Sequence, residues 1–255
     1  MATGTRKTGE FCWINMLTSQ PDEARQFFSS LLGWTYIEMP GMGHRMQVGG
    51  RDIGAIFDLD SPMTPPGTPP GIGVMVKVES ADATGEKIAA LGGKAQPAFD
   101  VMENGRMAVC TDPNGAAFDL WEPKSQEGTS ADSTEHGATS WFETMTSDAR
   151  RAREFYSALF GWTPQEMEMP GMTYTMFRLN DADVAGMLEI SPEMGPIPPH
   201  WVTYFTVNNA DETVSQVVEL GGSVVVPAQD IPGTGRFAGL TSPQGVMFSI
   251  IQYSN

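Results

Sequence analysis

The second half of the sequence repeats the first half in outline. Residues 105–122 and residues 235–252 share a pattern in which a Gly-Arg pair precedes two short apolar runs joined by a Pro-x-Gly turn. Proline restricts φ in such a turn and glycine accepts the positive φ that closes it, so each copy predicts a β-hairpin. Two copies this far apart in one chain indicate duplicated domains rather than a solenoid of short repeats.

Further matches occur in the same order along both halves, and they place the ends of the two domains. We predict a first domain over residues 9–123, a linker over residues 124–136 and a second domain over residues 137–254. The linker is polar and shows no hydrophobic periodicity, so we expect it to be mobile. The pairs that carry the alignment include Gly9 and Gly137, Trp13 and Trp141, Gly33 and Gly161, Trp34 and Trp162, and Leu91 and Leu220.

Each domain contains two units with the order strand, helix and three strands. In the first unit, residues 10–18 are mostly apolar, as a buried strand requires. Residues 19–32 place apolar side chains three and four positions apart, which predicts a helix that ends at Gly33. A proline-rich connector over residues 61–71 excludes both a helix and a central strand, and the same order of elements begins again after it.

Charge and hydropathy exclude several classes of partner. The chain of 255 residues has a formal net charge of −16, whereas nucleic-acid binding depends on clustered Lys and Arg that neutralise phosphates. The same charge disfavours anionic membranes, and no apolar run approaches the ~18 residues that a spanning helix requires. We therefore expect a cytoplasmic protein, a monomer or homodimer, with neither nucleic acid nor membrane as partner. Its charge favours a cationic ligand.

The two cysteines, Cys12 and Cys110, both lie in apolar strand patterns. This position is typical of reduced core residues, and it disfavours a disulfide or a metal site.

Two features repeated in both domains resemble a known superfamily. An Ala-x-x-Phe-Phe or Ala-x-x-Phe-Tyr helix leads into a Gly-Trp pair, and each domain ends with the Pro-x-Gly hairpin. These motifs resemble those of the vicinal oxygen chelate superfamily, which includes glyoxalase I, bleomycin-resistance proteins and extradiol dioxygenases, and in particular its tandem glyoxalase-like branch. The residues that carry the resemblance are Ala24, Phe27, Phe28, Gly33 and Trp34, and Ala152, Phe155, Tyr156, Gly161 and Trp162.

The resemblance implies an α+β fold of tandem duplicated glyoxalase-like domains. In each domain, a pair of βαβββ units would form a curved mixed sheet around a cleft. Such a fold hosts several activities, so it does not by itself specify a function.

The resemblance also allows a test for metal ligands. Metal-dependent members of that superfamily hold a divalent ion in the cleft with His, Gln or Glu side chains. At the corresponding positions this chain has Trp13, Gly73 and Asp119 in the first domain, and Trp141, Val202 and Ser249 in the second. Indole cannot ligate a metal, and a site needs three or four ligands. We therefore expect no divalent metal and no other cofactor in either cleft.

Two carboxylates are the candidate catalytic residues. Glu143 lies between Trp141 and Met145, and the alternation of side chains along a strand places these three on one face. Asp119 shares a face with Trp121 in the last strand of the first domain. A cleft carboxylate with a raised pKa could act as an acid or a base. The alternative is an ordinary carboxylate on a solvated face or rim.

The candidate ligand-binding residues lie on the same predicted faces or at their ends. Arg106 and Arg236 recur in the same Gly-Arg context, so each is either a clamp for the substrate or a structural brace. His200 shares strand parity with Tyr204 and could enter the second cleft. The tryptophans are either flat cleft walls or ordinary core residues. The full set is Trp13, Asn15, Lys77, Arg106, Trp121, Trp141, His200, Tyr204 and Arg236.

Three kinds of function remain open. The first is a binding module that sequesters a small hydrophobic or cationic compound without chemistry. The second is a glyoxalase-like lyase or isomerase, or a dioxygenase-related enzyme, that acts on a small carbonyl compound. The third is an interaction role. The sequence contains no nucleotide-binding loop, zinc-protease motif or nucleophile elbow.

The two clefts are expected to differ. In the alignment Asn15 corresponds to Glu143, Asp119 to Ser249, and Lys77 to Thr206. Identical ligands require identical polar partners, because an unpaired buried polar group costs ~1–3 kcal/mol. We therefore predict that one ligand occupies one cleft, and that the first cleft binds it through its tryptophans and a Lys77–Asp119 pair.

Overall fold

Two curved mixed sheets and four helices make up the part of the chain that the computed structural model describes, namely residues 2–62, 64, 67–169 and 171–254. This architecture confirms the predicted α+β fold of two duplicated domains. In the first domain the elements are β1 (Phe11–Thr18), α1 (Pro21–Leu32), β2 (Thr35–Met39), β3 (Gly43–Val48), β4 (Arg51–Asp58), β5 (Gly71–Lys77), α2 (Ala81–Ala90), β6 (Lys94–Ala95), β7 (Phe99–Val101), β8 (Gly105–Thr111) and β9 (Ala117–Pro123).

The second domain repeats this order of elements, except that the single strand β15 takes the place of β6 and β7. The bounds are β10 (Thr139–Thr146), α3 (Ala149–Phe160), β11 (Thr163–Met169), β12 (Met172–Leu179), β13 (Ala182–Glu189), β14 (His200–Thr206), α4 (Ala210–Glu219), β15 (Ser223–Ile231), β16 (Gly235–Thr241) and β17 (Met247–Tyr253). None of the helices in the described ranges combines the length and the apolar character that a membrane span needs.

The two units of each domain pair with each other, a point that the sequence left open. The first sheet has the order β2-β3-β4-β1-β5-β9-β8-β6, and β7 pairs with β8. The second sheet has the order β11-β12-β13-β10-β14-β17-β16-β15. In each sheet the first strands of the two units, β1 with β5 and β10 with β14, are antiparallel neighbours at the centre.

Helix α1 forms where the apolar periodicity predicts it. Pro21 occupies its first turn, and the carboxylates of Asp22 and Glu23 lie near the positive end of the helix dipole. Gly33 ends it in the left-handed conformation at φ 68°, which glycine adopts without steric cost. The apolar stripe of the helix is buried, which leaves the concave face of the sheet free for a cleft. The buried residues are Ala24, Phe27, Phe28, Leu31 and Leu32.

One hydrophobic core extends through both domains. The indole of Trp34 donates a hydrogen bond to the carbonyl of Gly137 at 2.8 Å, and the indole of Trp162 donates to the carbonyl of Gly9 at 2.8 Å. These two bonds are equivalent under the repeat, and each crosses from one domain to the other. The domains are therefore packed together and do not behave as separate bodies on a tether.

The segment between the domains is packed, so the prediction of a mobile linker is wrong. Thr129, Ala131 and Ser133 are buried, and the hydroxyl of Thr206 donates to the carbonyl of Ser133 at 2.6 Å. A polar segment can be ordered in this way when other elements satisfy its backbone groups. Its composition resembled a linker because those partners lie elsewhere in the chain.

Candidate functional site

The first cleft lies on the concave face of the first sheet, where the strand register brings candidate residues together. Asn15 in β1 pairs with Gly73 in β5, and Met75 in β5 pairs with both Trp13 and Asp119. Paired residues on adjacent strands point to the same face. This face therefore presents an amide, a carboxyl and an indole close to one another.

Asp119 and Asn15 form a polar pair at the centre of this face. The Asn15 side chain is hydrogen-bonded to the Asp119 carboxyl. Burial raises the pKa of Asp119 to about 7, and the hydrogen bond from Asn15 opposes that rise. Both residues remain half-buried. The absence of a side chain at Gly73 leaves space beside them, because a Cβ there would lie 3.7 Å from Asp119 Oδ2.

An apolar cluster flanks this pair at one end of the face. Cys12, Met75 and Trp121 form its buried part, and Trp13, Val101 and Met107 pack against it. Strict alternation along β1 would place Cys12 with Ile14 and Met16 on the helix side, but Cys12 lies in this cluster instead. The pairing of β1 with β5 shifts register between Phe11 and Trp13, and the strand alternation changes there. Burial raises the pKa of the Cys12 thiol to about 12.

Lys77 does not pair with Asp119, which corrects the expected Lys77–Asp119 pair. Its ammonium group donates to the Glu127 carboxylate at 2.5 Å and to the carbonyl of Arg6 at 3.1 Å. A buried ammonium needs partners, and the interdomain segment and the N-terminal segment supply them. Lys77 is therefore engaged at the end of the cleft and not at its centre.

Arg106 and Arg236 are braces on the outside of the sheets, and the structure brings neither into a cleft. Arg106 bonds Asp82 in α2 at 2.7 Å, and Arg236 bonds Asp211 in α4 at 2.9 Å. Each arginine thus holds the start of a helix against a hairpin strand. The repeated Gly-Arg motif has this structural reason, and these ion pairs favour the brace over the clamp.

A polar cluster that the sequence did not reveal lies on the same face of the first cleft. Asp52 in β4 accepts hydrogen bonds from Arg45 at 2.8 Å, from Gln47 at 2.7 Å and from Gln126 at 3.4 Å. A register shift between Met46 and Gln47 pairs Gln47 with Asp52. The hydropathy pattern of a strand does not reveal such a shift. Charged residues near a strand end are otherwise typical of a solvated edge.

The second cleft contains a closed polar network. Glu143 accepts a hydrogen bond from the Tyr204 hydroxyl at 3.0 Å and another from Tyr174. The indole of Trp141 donates to the Tyr174 hydroxyl at 2.9 Å, and Ser249 is hydrogen-bonded to Tyr204. Burial raises the pKa of Glu143, and the two tyrosine hydrogen bonds oppose that rise. The network leaves Glu143 with no need of a ligand to satisfy it.

Tyr174 occupies the second cleft beside Glu143. Its hydroxyl lies over Gly186, where any Cβ would collide with it. In the first sheet the residue that pairs with Asn15 on β4 is Ala55, as Gly186 pairs with Glu143 on β13. Sequence reasoning missed Tyr174, because only the register of β12 against β13 shows that it meets Glu143.

Solvent exposure separates the two clefts further. Asn15 and Asp119 are half-buried, whereas their counterparts Glu143 and Ser249 are only 6% and 5% exposed. His200 lies at the start of β14, where Nδ1 is 2.8 Å from the carbonyl oxygen of Pro198, and it does not contact Glu143 through any bond in the described network. The first cleft therefore has the more exposed polar centre, and the second is filled by its own side chains.

The fold and its duplication match a described family. The profile of the Glyoxalase/Bleomycin resistance protein/Dioxygenase superfamily matches residues 11–120 and again residues 139–250. The chain belongs to this superfamily. Its two matches fall on the two sheets, which confirms the resemblance drawn from the helix and hairpin motifs.

Several known members of the superfamily are similar over nearly the whole chain. CFP32 of Mycobacterium tuberculosis (strain CDC 1551), provisionally named a glyoxylase, is 36% identical over 247 residues, which cover 94% of this chain and 93% of CFP32. The anthracycline biosynthesis protein DauV of Streptomyces sp. (strain C5) is 32% identical, over 96% of this chain and 93% of DauV. The Mn(II)-bound glyoxalase of Novosphingobium aromaticivorans has a TM-score of 0.67 at 12% identity, covering 96% of this chain and 82% of that chain, and supports the fold alone.

The residues present do not fit the divalent metal that some superfamily members bind. Within residues 2–62, 64, 67–169 and 171–254, no group of three or more His, Cys, Asp or Glu side chains could hold a metal ion. The centre of the first cleft offers one carboxyl and one amide, and the second cleft offers one carboxyl among tyrosines. Neither set supplies the three or four donors of a tight site.

We expect the purified protein to retain far less than one divalent metal ion per chain after dialysis. The physical reason is the lack of a third donor beside Asn15 and Asp119. Inductively coupled plasma mass spectrometry of the dialysed protein measures the content, with an Asp119→Ala variant as control for adventitious binding. A stoichiometric ion that is lost in Asp119→Ala would contradict this expectation.

Proposed function

We propose that this chain binds a small planar aromatic cation in its first cleft, through the Asn15–Asp119 pair and the neighbouring tryptophan, without a metal. The observation that carries the proposal is a polar pair that remains half-buried beside an apolar cluster. Ligand sites commonly combine a few placed polar groups with aromatic walls. In the second cleft, the counterpart carboxylate already has two tyrosine donors.

The charge of the first cleft favours a cation. Among the residues that the structure describes, no basic side chain is bonded to the Asp119 carboxyl, because Lys77 is paired with Glu127 and Arg45 with Asp52. A cation beside Asp119 would supply the missing countercharge, and Trp13 offers a ring face for stacking. The net charge of −16 also attracts cations from solution.

One relative is compatible with an aromatic ligand of this kind. DauV is named for the biosynthesis of anthracyclines, and it aligns with nearly all of this chain. The binding role proposed here requires no metal, and the superfamily includes bleomycin resistance proteins.

Calorimetric titration with 9-aminoacridine, a planar three-ring cation, tests the proposal. We expect about one site per chain, and we expect Asp119→Ala to weaken binding at least tenfold, which is about 1.4 kcal/mol. The matched control is Ser249→Ala, at the equivalent position of the second cleft, and it should leave the affinity unchanged. Two equal sites per chain, or an affinity that Asp119→Ala leaves unchanged, would contradict the proposal.

The pH dependence of the same titration follows from the pKa of Asp119, which burial raises to about 7. The cation binds the carboxylate form, so its affinity should fall as pH decreases from about 8 to about 6, where Asp119 becomes protonated. Acridone, a neutral three-ring probe, should show no such fall. In Asp119→Asn the pH dependence for 9-aminoacridine should disappear.

A second candidate function is acid–base chemistry on a small carbonyl compound. It is favoured by one observation, namely that the pKa of Asp119 is raised to about 7, within the range suited to a general base at neutral pH. Turnover of methylglyoxal with glutathione, measured with and without added Zn²⁺, Ni²⁺ or Mn²⁺, tests this function. Activity that Asp119→Asn abolishes and Ser249→Ala preserves would favour the enzyme over the binding module.

A further inference from the structure

The interdomain segment crosses one end of the first cleft. Residues 124–129, called here the closing segment, are anchored at their start by a hydrogen bond from the backbone amide of Gln126 to the carbonyl of Asn104, 3.0 Å long. The indole of Trp121 in β9 then donates to the Gln126 carbonyl at 2.8 Å. The segment thus begins against the β8–β9 side of the sheet.

The same segment continues over the central strands. Glu127 bonds Lys77 in β5 through its carboxylate at 2.5 Å and through its carbonyl at 3.1 Å. The amide of Thr129 donates to the carbonyl of Cys12 in β1 at 2.7 Å. The β1, β5 and β9 ends therefore each contact one residue of the closing segment.

Gln126 extends this closure to the far side of the cleft. Its side-chain amide lies 3.4 Å from the carboxylate of Asp52 in β4. In the sheet, β4 and β9 are separated by β1 and β5. Gln126 bonds Trp121 with its carbonyl and Asp52 with its side chain. It therefore spans the concave face, next to the apolar cluster against which Trp13 packs.

We propose that the closing segment is the end wall of the first cleft, and that Gln126 is a residue that determines which ligands fit. The ligand part of this inference rests on the proposed function. A wall at the Trp121 end leaves the opposite end, near Leu17, as the entry, since Leu17 is half-exposed and pairs with Gly71. Gln126, which belongs to neither repeated domain, then sets the length of the aromatic ligand that fits between the entry and the wall.

The wall itself is testable through Cys12, without any ligand. Cys12 is 0% exposed, and Gly128 of the closing segment lies against it, where an added Cβ would be 2.8 Å from Cys12 Cβ. In a Cys110→Ala background Cys12 is the sole thiol of the chain. Its rate of reaction with Ellman's reagent therefore reports whether the segment stays in place.

We expect slow labelling of Cys12, and a rate at least about tenfold higher in Gly128→Ala, because the added methyl group displaces the segment. The matched control is Gly161→Ala, which also has positive φ but no atom within 4 Å of the added Cβ. Glu127→Gln keeps the backbone intact and removes the ion pair with Lys77, so it should raise the rate more modestly. The proposal that the closing segment forms a wall would be overturned if Cys12 of the wild type were labelled at the rate of a free thiol, or if all variants were labelled at equal rates.

Ligand selection is tested with two basic planar probes that differ by one ring, 9-aminoacridine and 4-aminoquinoline. Gln126→Ala should shift the affinity ratio towards the three-ring probe by about fivefold, since it removes the side chain of the wall and retains the carbonyl that Trp121 uses. Gln165→Ala, an exposed glutamine in β11 of the second domain, should leave the ratio unchanged. An unchanged ratio in Gln126→Ala overturns the role of Gln126.

The two arms separate this inference from the proposed function. If 9-aminoacridine does not bind the wild-type protein, the proposed function fails and Gln126 loses its role in ligand choice, whereas the labelling rates of Cys12 still decide whether the segment closes the cleft. If both probes bind and Cys12 is nonetheless labelled freely, the ligand site stands and the wall does not.

Discussion

Asp112→Ala is expected to lower the free energy of unfolding by about 3 kcal/mol or more. Asp112 is 2% exposed, and its Oδ1 accepts hydrogen bonds from the backbone amides of Asn114, Gly115 and Ala116 at 2.8–2.9 Å. Its Oδ2 accepts the hydroxyl of Tyr156 in α3 at 3.0 Å. Removal of the carboxylate leaves several buried donors unpaired, and each costs about 1–3 kcal/mol when no water replaces the acceptor.

The repeat offers a matched control for this prediction. Ser242 occupies the equivalent turn of the second domain, and its hydroxyl accepts only two longer bonds, both 3.3 Å, from the amides of Gln244 and Val246. Ser242→Ala should therefore cost about 1 kcal/mol. Urea unfolding followed by circular dichroism measures both variants. Equal losses in the two turns would show that the bonds of Asp112 contribute no more than those of Ser242.

The loss in Asp112→Ala should depend in part on Tyr156. Burial and the neighbouring Asp112 carboxylate hold the pKa of Tyr156 well above its usual value, so the phenol stays protonated and donates. Tyr156→Phe restores the residue type that Phe28 represents in the first domain, and it should cost about 1 kcal/mol. A double-mutant cycle with Asp112→Ala should give a non-additive coupling, since the two residues share one bond.

Trp34→Ala is expected to lower the free energy of unfolding by about 3–5 kcal/mol, the usual cost of truncating a buried aromatic residue. Trp34 is 2% exposed, and its ring stacks on Phe28 at 5.0 Å and contacts Phe205 of the second domain at 5.1 Å. Its indole also donates to the Gly137 carbonyl at 2.8 Å. The substitution thus removes packing and a hydrogen bond at the junction of the domains.

Because the core is shared, the effect of Trp34→Ala should reach both domains. We expect a single cooperative transition in calorimetry for the wild type and for the variant, with the whole transition shifted. Trp162→Ala, the equivalent change in the other domain, should behave in the same way, because its indole makes the matching bond to Gly9. Two resolved transitions, with only one displaced by Trp34→Ala, would show that the domains unfold independently.

The strand alternation predicted which side chains share a face, and the register shows where those faces meet. Asn15 and Asp119 lie on different strands that are not adjacent, yet they meet because both β1 and β9 pair with β5. Their roles in binding or catalysis remain predictions. Tyr174 and Asp52 were not found, because each reaches its partner through a pairing that local sequence does not specify.

The wrong predictions have a common physical cause. Lys77 was expected to pair with Asp119, and Arg106 and Arg236 were considered as ligand clamps, because the sequence does not show their actual partners. Each forms an ion pair with a carboxylate distant in sequence, namely Glu127, Asp82 and Asp211. The interdomain segment was expected to be mobile for the same reason, since its hydrogen-bond acceptors include the Cys12 carbonyl.

The sequence alone determined the duplication, the order of strands and helices, the superfamily and the acidic charge of this protein. These properties follow from local patterns: hydrophobic periodicity, turn residues and helix ends. Tertiary structure decided which cleft has the more exposed polar centre, which segment packs against the ends of β1, β5 and β9, and which charges are already paired. Those outcomes depend on contacts between residues such as Tyr174 and Glu143 or Gln126 and Asp52, which only the packing of strands and segments brings within hydrogen-bond distance.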